Sequence, residues 1–162
     1  ETFLNIRGHD ALLEACRRVE TVKRVVVASS DKAYGTCPDL PYTEHTPLAG
    51  RFPYDVSKAC ADLLAQSYAA TYALPIAIAR CGNVFGPGDV NFSRLVPSVL
   101  CALLRGRRPV IRSDGSPLRD YIYIDDAVDA LLALARWLDE SPAADPAQLV
   151  HDCFKALAGF DG

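Results

Sequence analysis

Two short apolar runs, RVVVAS at residues 24–29 and LPIAIAR at 74–80, flank one strongly helical stretch, YDVSKACADLLAQSYAATY at 54–72. A strand that is apolar at consecutive positions, rather than at every second one, is buried on both faces, as the strands of parallel sheets are. Two parallel strands cannot be joined by a tight turn; they need a crossover, and a helix is the usual one. This pairing of runs therefore constrains the chain to an α/β fold with a mostly parallel sheet.

The alternation continues on both sides. Leu12, Leu13, Cys16 and Val19 follow helical spacing and predict an amphipathic helix over about residues 4–19. FSRLVPSVLCALLRG predicts a helix ended by Gly106. PVIR (109–112) and YIYI (121–124) predict short strands. DDAVDALLALARWLDE predicts a third strong helix with acids in its first turn, where the dipole favours them. YGTCPDLPYTEHTPLAGRFP is a long loop, and CGNVFGPGD a Gly/Pro turn. The tail from Ser141 reads as a Pro/Ala linker followed by a short helix. No internal repeat is present.

The 162 residues suffice for one domain with a core, and half of them are apolar. A net charge of -3 leaves no basic footprint for nucleic acid. No apolar run approaches a membrane span, and the opening residues are not expected to be a signal peptide. Of six cysteines, none in a Cys-x-x-Cys pair, most sit inside apolar stretches as ordinary buried thiols do; a reducing cytoplasm is expected and a zinc site is not. His9, His45 and His151 show no ligand spacing. There is no methionine, and helix begins from about the fourth residue; the expectation is a fragment of a longer chain.

The chemistry concentrates where the first strand ends. Ser29, Ser30, Asp31 and Lys32 follow Val25–Ala28 directly. In an open α/β sheet, ligands bind outside the carboxyl ends of the strands. One loop later, Tyr54 and Lys58 lie four residues apart and share a helix face that differs from the Val56, Cys60, Leu63 and Leu64 stripe. An ammonium near the phenol favours the phenolate, so Lys58 is expected to tune Tyr54 as a general base. The hydroxyls of Ser30 and Tyr54 then converge on one substrate oxygen. The plain alternative is that Ser29 and Asp31 only cap the following turn.

VVVASSDKAYG, PYDVSKACADLLAQSYAATY, ARCGNVFGPGD and SPLRDYIYIDDAVDALL, in that order, together resemble the extended short-chain dehydrogenase/reductase family, the NAD-dependent epimerases and dehydratases of nucleotide sugars. The resemblance covers about residues 3–138. It is nearest to the sugar-nucleotide 4,6-dehydratases, of the CDP-glucose type, because of the Asp31–Lys32 pair. It implies a partial Rossmann-like, doubly wound parallel sheet. Residues 1–90 would be the C-terminal half of an NAD-binding domain, and 91–162 part of a small substrate-binding region. It implies catalytic roles for Ser30, Asp31, Lys32, Tyr54 and Lys58, with Ser29, Tyr54, Lys58 and Arg80 toward NAD. Asn83, Arg94 and Arg119 would contact the substrate, the arginines its phosphates, where a guanidinium fork fits a diphosphate. Arg94 reads equally as a solvated helix arginine, and Asp125 and Asp126 as a helix N-terminus.

Members of that family open on a strand and a Gly-x-x-Gly-x-x-Gly turn that holds the NAD pyrophosphate. These 162 residues contain no such turn, and GNVFGPG is not a substitute. Two other readings follow: a nucleotide-sugar 4-epimerase, which has no use for an acid at Asp31, and a non-catalytic fragment that needs a missing N-terminal half. The resemblance also implies a homodimer through the helices at about 4–19 and 55–72.

Overall fold

A computed structural model describes residues 2–36, 40–140 and 150–152. Helix α1 (Thr2–Arg18) leads into strand β1 (Val25–Ser30), and a 3-10 turn, Asp31–Tyr34, follows at once. After a long loop come helix α2 (Pro53–Tyr72), strands β2 (Ile76–Cys81) and β3 (Asn83–Phe85), and helix α3 (Leu95–Leu104). Strand β4 (Tyr121–Tyr123), helix α4 (Ile124–Glu140) and strand β5 (Val150–Asp152) complete the described chain.

The α/β expectation holds. Strands β1, β2 and β5 form one sheet in the order β1-β2-β5, all parallel. Val25 lies opposite Ile76 and Ser30 opposite Cys81, so β1 and β2 end together and present their carboxyl ends on one edge. Strands β3 and β4 pair separately, also in parallel.

Strand β2 is buried at all six positions, and its alternation builds two cores. Ile76 and Ile78 pack with Val27, Leu13 of α1 and Ala65 and Ala69 of α2. Ala77, Ala79 and Cys81 point the other way, against Ala127, Ala130, Leu134 and Leu138 of α4. Helices thus cover both faces of the sheet, which explains why neither strand shows polar alternation.

Several sequence expectations are corrected. Asn83–Phe85 is a strand, not part of a turn, because it pairs residue for residue with Tyr121–Tyr123. Pro109–Arg112 is not a strand: Val110 and Ile111 are largely exposed and lie on no sheet. In α2 the buried face consists of Ser57, Ala59, Ala61, Asp62, Ala65 and Ala69, while Val56 and Leu63 of the expected apolar stripe lie outward. Close packing on the sheet and α1 selects small side chains there. Among the described cysteines, Cys16, Cys60 and Cys101 are free and only half-buried, and Cys81 is disulfide-bonded rather than a thiol. The expected linker and tail helix lie outside the described residues, as do Cys37 and Cys153. Among the described residues, no helix is long and apolar enough to cross a membrane.

The loop after the 3-10 turn is held close. Gly35 has φ +68°, and a Cβ there would run into the Ala49 carbonyl of the returning chain. Only glycine allows this approach. The Tyr42 hydroxyl donates to the Gly35 carbonyl at 3.3 Å, and the rings of Tyr34 and Tyr42 stack 4.8 Å apart. The long loop is therefore anchored beside the turn that carries Asp31 and Lys32.

Candidate active site

Beyond the carboxyl ends of β1 and β2 lies a cleft of about 850 Å³. Ser29, Ser30, Asp31 and Lys32 line it from β1 and the 3-10 turn, and Tyr54 from the start of α2. Asn83, Arg94 and Arg119 line it from β3, the N-cap of α3 and the segment before β4. The structure thus brings eight of the ten expected site residues to one cavity. Lys58 and Arg80 are not among its lining residues.

Strand alternation would send Ser30 and Asp31 to opposite sides. The 3-10 turn removes that conflict. Ser30 is both the last residue of β1 and the N-cap of the turn, in extended conformation, and its Oγ accepts from the Lys32 N–H at 3.2 Å. The same hydroxyl donates to Asp31 Oδ1 at 3.1 Å. The Lys32 ammonium lies 3.6 Å from Asp31 Oδ2. The capping residue is Ser30, rather than Ser29 or Asp31.

Tyr54 sits in the first turn of α2, one residue after Pro53, and half of it is exposed. Lys58, one turn later, places Nζ over the Tyr54 ring, 5.9 Å from its centroid. The ammonium and the phenol are neighbours on one helix face, as the spacing requires.

Arg80, expected toward NAD, is held in a buried network and does not line the cleft. Its side chain is 3% exposed and forks onto Asp62, itself fully buried, with Nε donating to Oδ2 and Nη2 to Oδ1, both at 2.8 Å. Nη1 donates to the Tyr34 hydroxyl at 3.1 Å and to the Glu44 carbonyl at 3.3 Å, and the guanidinium lies over the Tyr34 ring. Burial works to lower the Arg80 pKa; the bonds to Asp62 and Tyr34 outweigh it and hold the group above its ordinary value. These bonds hold the Arg80 guanidinium away from the lining of the cleft. Ser29 Oγ donates to Asp62 Oδ2 at 3.1 Å, so this cleft-lining hydroxyl also belongs to the buried network.

Of the two arginines expected at phosphates, Arg94 pairs with Asp89 at 3.2 Å and Arg119 donates to the Leu118 carbonyl at 2.6 Å. Sequence reasoning missed Arg112, which lines the same cleft. It also missed Asp62. The signal for Asp62 was available: it continues the Tyr54–Lys58 face by one further turn, an acid among alanines.

The strand-end cleft is thus lined by Tyr54, with Lys58 over its ring, and by the Ser30–Asp31–Lys32 turn. The sequence profile of the NAD dependent epimerase/dehydratase family matches residues 2–147. The chain belongs to this family. A dTDP-glucose 4,6-dehydratase of Streptomyces antibioticus is 37% identical over 122 residues, which is 75% of this chain and 36% of that protein. Among solved structures, a double mutant of the dTDP-glucose 4,6-dehydratase DesIV from Streptomyces venezuelae, with NAD bound, superposes with a TM-score of 0.73 at 28% identity. That match covers 93% of this chain and 53% of the other. A UDP-N-acetylglucosamine 4-epimerase from Methanobrevibacter ruminantium gives 0.75 at 32% identity, over 82% of this chain and 43% of its own. The chain thus spans about half, or less, of each of these family members.

Proposed function

We propose that the protein carrying this chain performs NAD-dependent 4,6-dehydration of a nucleoside-diphosphate hexose, with CDP-glucose as the substrate type. The observation that carries the reading is the joining of Ser30, Asp31 and Lys32 to Tyr54 around one cleft. Residues 1–90 are read as the C-terminal half of the NAD-binding domain and 91–162 as part of the substrate-binding region.

The nicotinamide end of NAD fits this chain, where Lys58 stands over the ring of the cleft-lining Tyr54. When bound, NAD supplies a hydride acceptor for C4 of the sugar and returns the hydride to C6. Tyr54 takes the proton of the 4-hydroxyl as hydride leaves C4, and Ser30 hydrogen-bonds the same oxygen. Lys32 removes the C5 proton, directly or through water, once the 4-ketone has made it acidic. Asp31 protonates the departing C6 hydroxyl, which leaves as water. A proton returns to C5 as C6 is reduced, so the product is the 4-keto-6-deoxy sugar and NAD is unchanged over the cycle. Asn83, Arg94 and Arg119 hold the nucleotide, the guanidiniums at the diphosphate.

Product analysis tests the reading. CDP-glucose is expected to give a 4-keto-6-deoxy hexose, and dTDP- and UDP-glucose run in parallel assign the base. A C4 epimer with no loss of water would replace the reading with the 4-epimerase. That alternative is favoured by the similarity to the M. ruminantium epimerase and would leave Asp31 idle.

Three expectations accompany the proposal. The 162 residues include no Gly-x-x-Gly-x-x-Gly turn, so this chain by itself should bind NAD weakly or not at all. Micromolar binding by calorimetry would contradict this and with it the division of the NAD site. The chain is also expected to form a homodimer through α1 and α2, whose outward Leu4, Leu12, Val56 and Leu63 are exposed. A compact monomer in sedimentation at micromolar concentration would rule that out. A cytoplasmic location is proposed from Cys16, Cys60 and Cys101, which are free among the described residues. The disulfide at Cys81 argues the other way, and fractionation decides.

A further inference from the structure

We infer that Asp62 and Arg80 are a positioning pair for the cleft, a buried ion pair whose outer hydrogen bonds fix the turn bearing Asp31 and Lys32 relative to the helix start bearing Tyr54. The effect on turnover rests on the proposed reaction; the geometric part does not.

Asp62 lies on α2 eight residues beyond Tyr54, about 12 Å along the helix axis. Its carboxylate accepts from Arg80 on β2, Ser29 on β1 and Gln66 on α2. Arg80 in turn donates to Tyr34, the last residue of the 3-10 turn, and to the Glu44 carbonyl in the long loop. Helix, two strands, turn and loop therefore meet on two buried side chains that do not themselves line the cleft.

Stability alone does not call for such a pair. Removing two charges from water is costly, and apolar replacements of similar volume are often neutral or better. What an apolar pair cannot do is direct hydrogen bonds to Ser29 and Tyr34 at fixed angles. Those two residues bracket Ser30–Ala33, so the ion pair sets where the turn stands. Reacting groups tolerate little displacement: an error of about 1 Å can cost on the order of a hundredfold in rate.

The test is the double variant Asp62→Leu/Arg80→Met, which leaves no unpaired buried charge. Tyr34→Phe, which keeps the ring and removes the hydroxyl that accepts from Arg80, is the second variant in case the first does not fold. Backbone amide exchange is read in this chain. The Lys32 amide, bonded to Ser30 Oγ, and the Gly35 amide, bonded to the Lys32 carbonyl at 3.0 Å, are expected to exchange about tenfold faster or more, with Ile76–Ala79 of β2 unchanged. In the protein that carries the chain, kcat should fall roughly ten- to a hundredfold, with KM for the nucleotide sugar nearly unchanged. Unchanged exchange at Lys32 and Gly35, or loosening shared equally by β2, would overturn the inference. So would a rise in KM at constant kcat. If the unsubstituted protein turns over no nucleotide sugar, the proposed function fails, and the exchange comparison still decides this inference.

Discussion

Tyr54→Phe is expected to stop the reaction before any reduced cofactor forms, whereas Asp31→Asn is expected to stop it after. In the protein that carries this chain, mixed with CDP-glucose in a single turnover, the phenylalanine variant has no base for the 4-hydroxyl proton. No bound NADH should be seen by absorbance. Asp31→Asn keeps Tyr54 and the Ser30 hydroxyl and loses only the acid for the C6 hydroxyl. Oxidation should proceed, with NADH or the 4-keto hexose accumulating and little dehydrated product. General acid–base groups supply about a hundred- to ten-thousandfold in rate, so the two failures separate clearly. The 3-10 turn makes the division physically reasonable, because Ser30 and Asp31 line one cleft despite being sequence neighbours. Equal loss of the NADH signal in both variants would reduce Asp31 to a partner of Ser30 and Lys32.

Asp62→Ala is expected to be the most damaging single substitution to stability. It leaves the Arg80 guanidinium buried without its counter-ion and strips Ser29 and Gln66 of their acceptor. Breaking a buried pair from one side costs roughly 3–5 kcal/mol, a fall in Tm on the order of 10 °C for a chain of this size. Denaturant unfolding of the chain measures it. A loss below about 1 kcal/mol would mean that water or a rearranged side chain replaces Asp62.

The layered fold was legible because its signals are local. Val25–Val27 and Ile76–Arg80 carry no polar alternation, and both prove to be covered on each side. Residues 83–85 were not legible: a three-residue strand is specified by its partner Tyr121–Tyr123, almost forty residues away, and not by its own composition. Val110 and Ile111 gave the opposite error, β-branched residues with no sheet to join. The outline of the site was readable from Ser30–Lys32 and Tyr54. The buried role of Arg80 was not, since a strand-end arginine looks the same in sequence whether it faces a ligand or an acid beneath it. Asp62 was hidden by habit, because an acid on a helix is ordinarily solvated.

The two faces of β2 will tolerate sequence change unequally. Toward α1 and α2 the strand offers Ile76 and Ile78, bulky residues for which another branched or unbranched aliphatic of similar volume can substitute with modest repacking. Toward α4 it offers Ala77 and Ala79, with Cys81 at the strand's end. There the methyl groups act as the spacer between sheet and helix, and any added carbon must lift α4 rather than fill a gap. Helix α4 follows β4 without a connecting loop, so a lift would carry Tyr123 and Ile124 with it and alter the cleft wall that Ile124 and Ala127 form. Across a set of natural variants, drift should therefore be free at 76 and 78 and nearly frozen at 77 and 79, on a strand that a hydropathy profile reads as uniform.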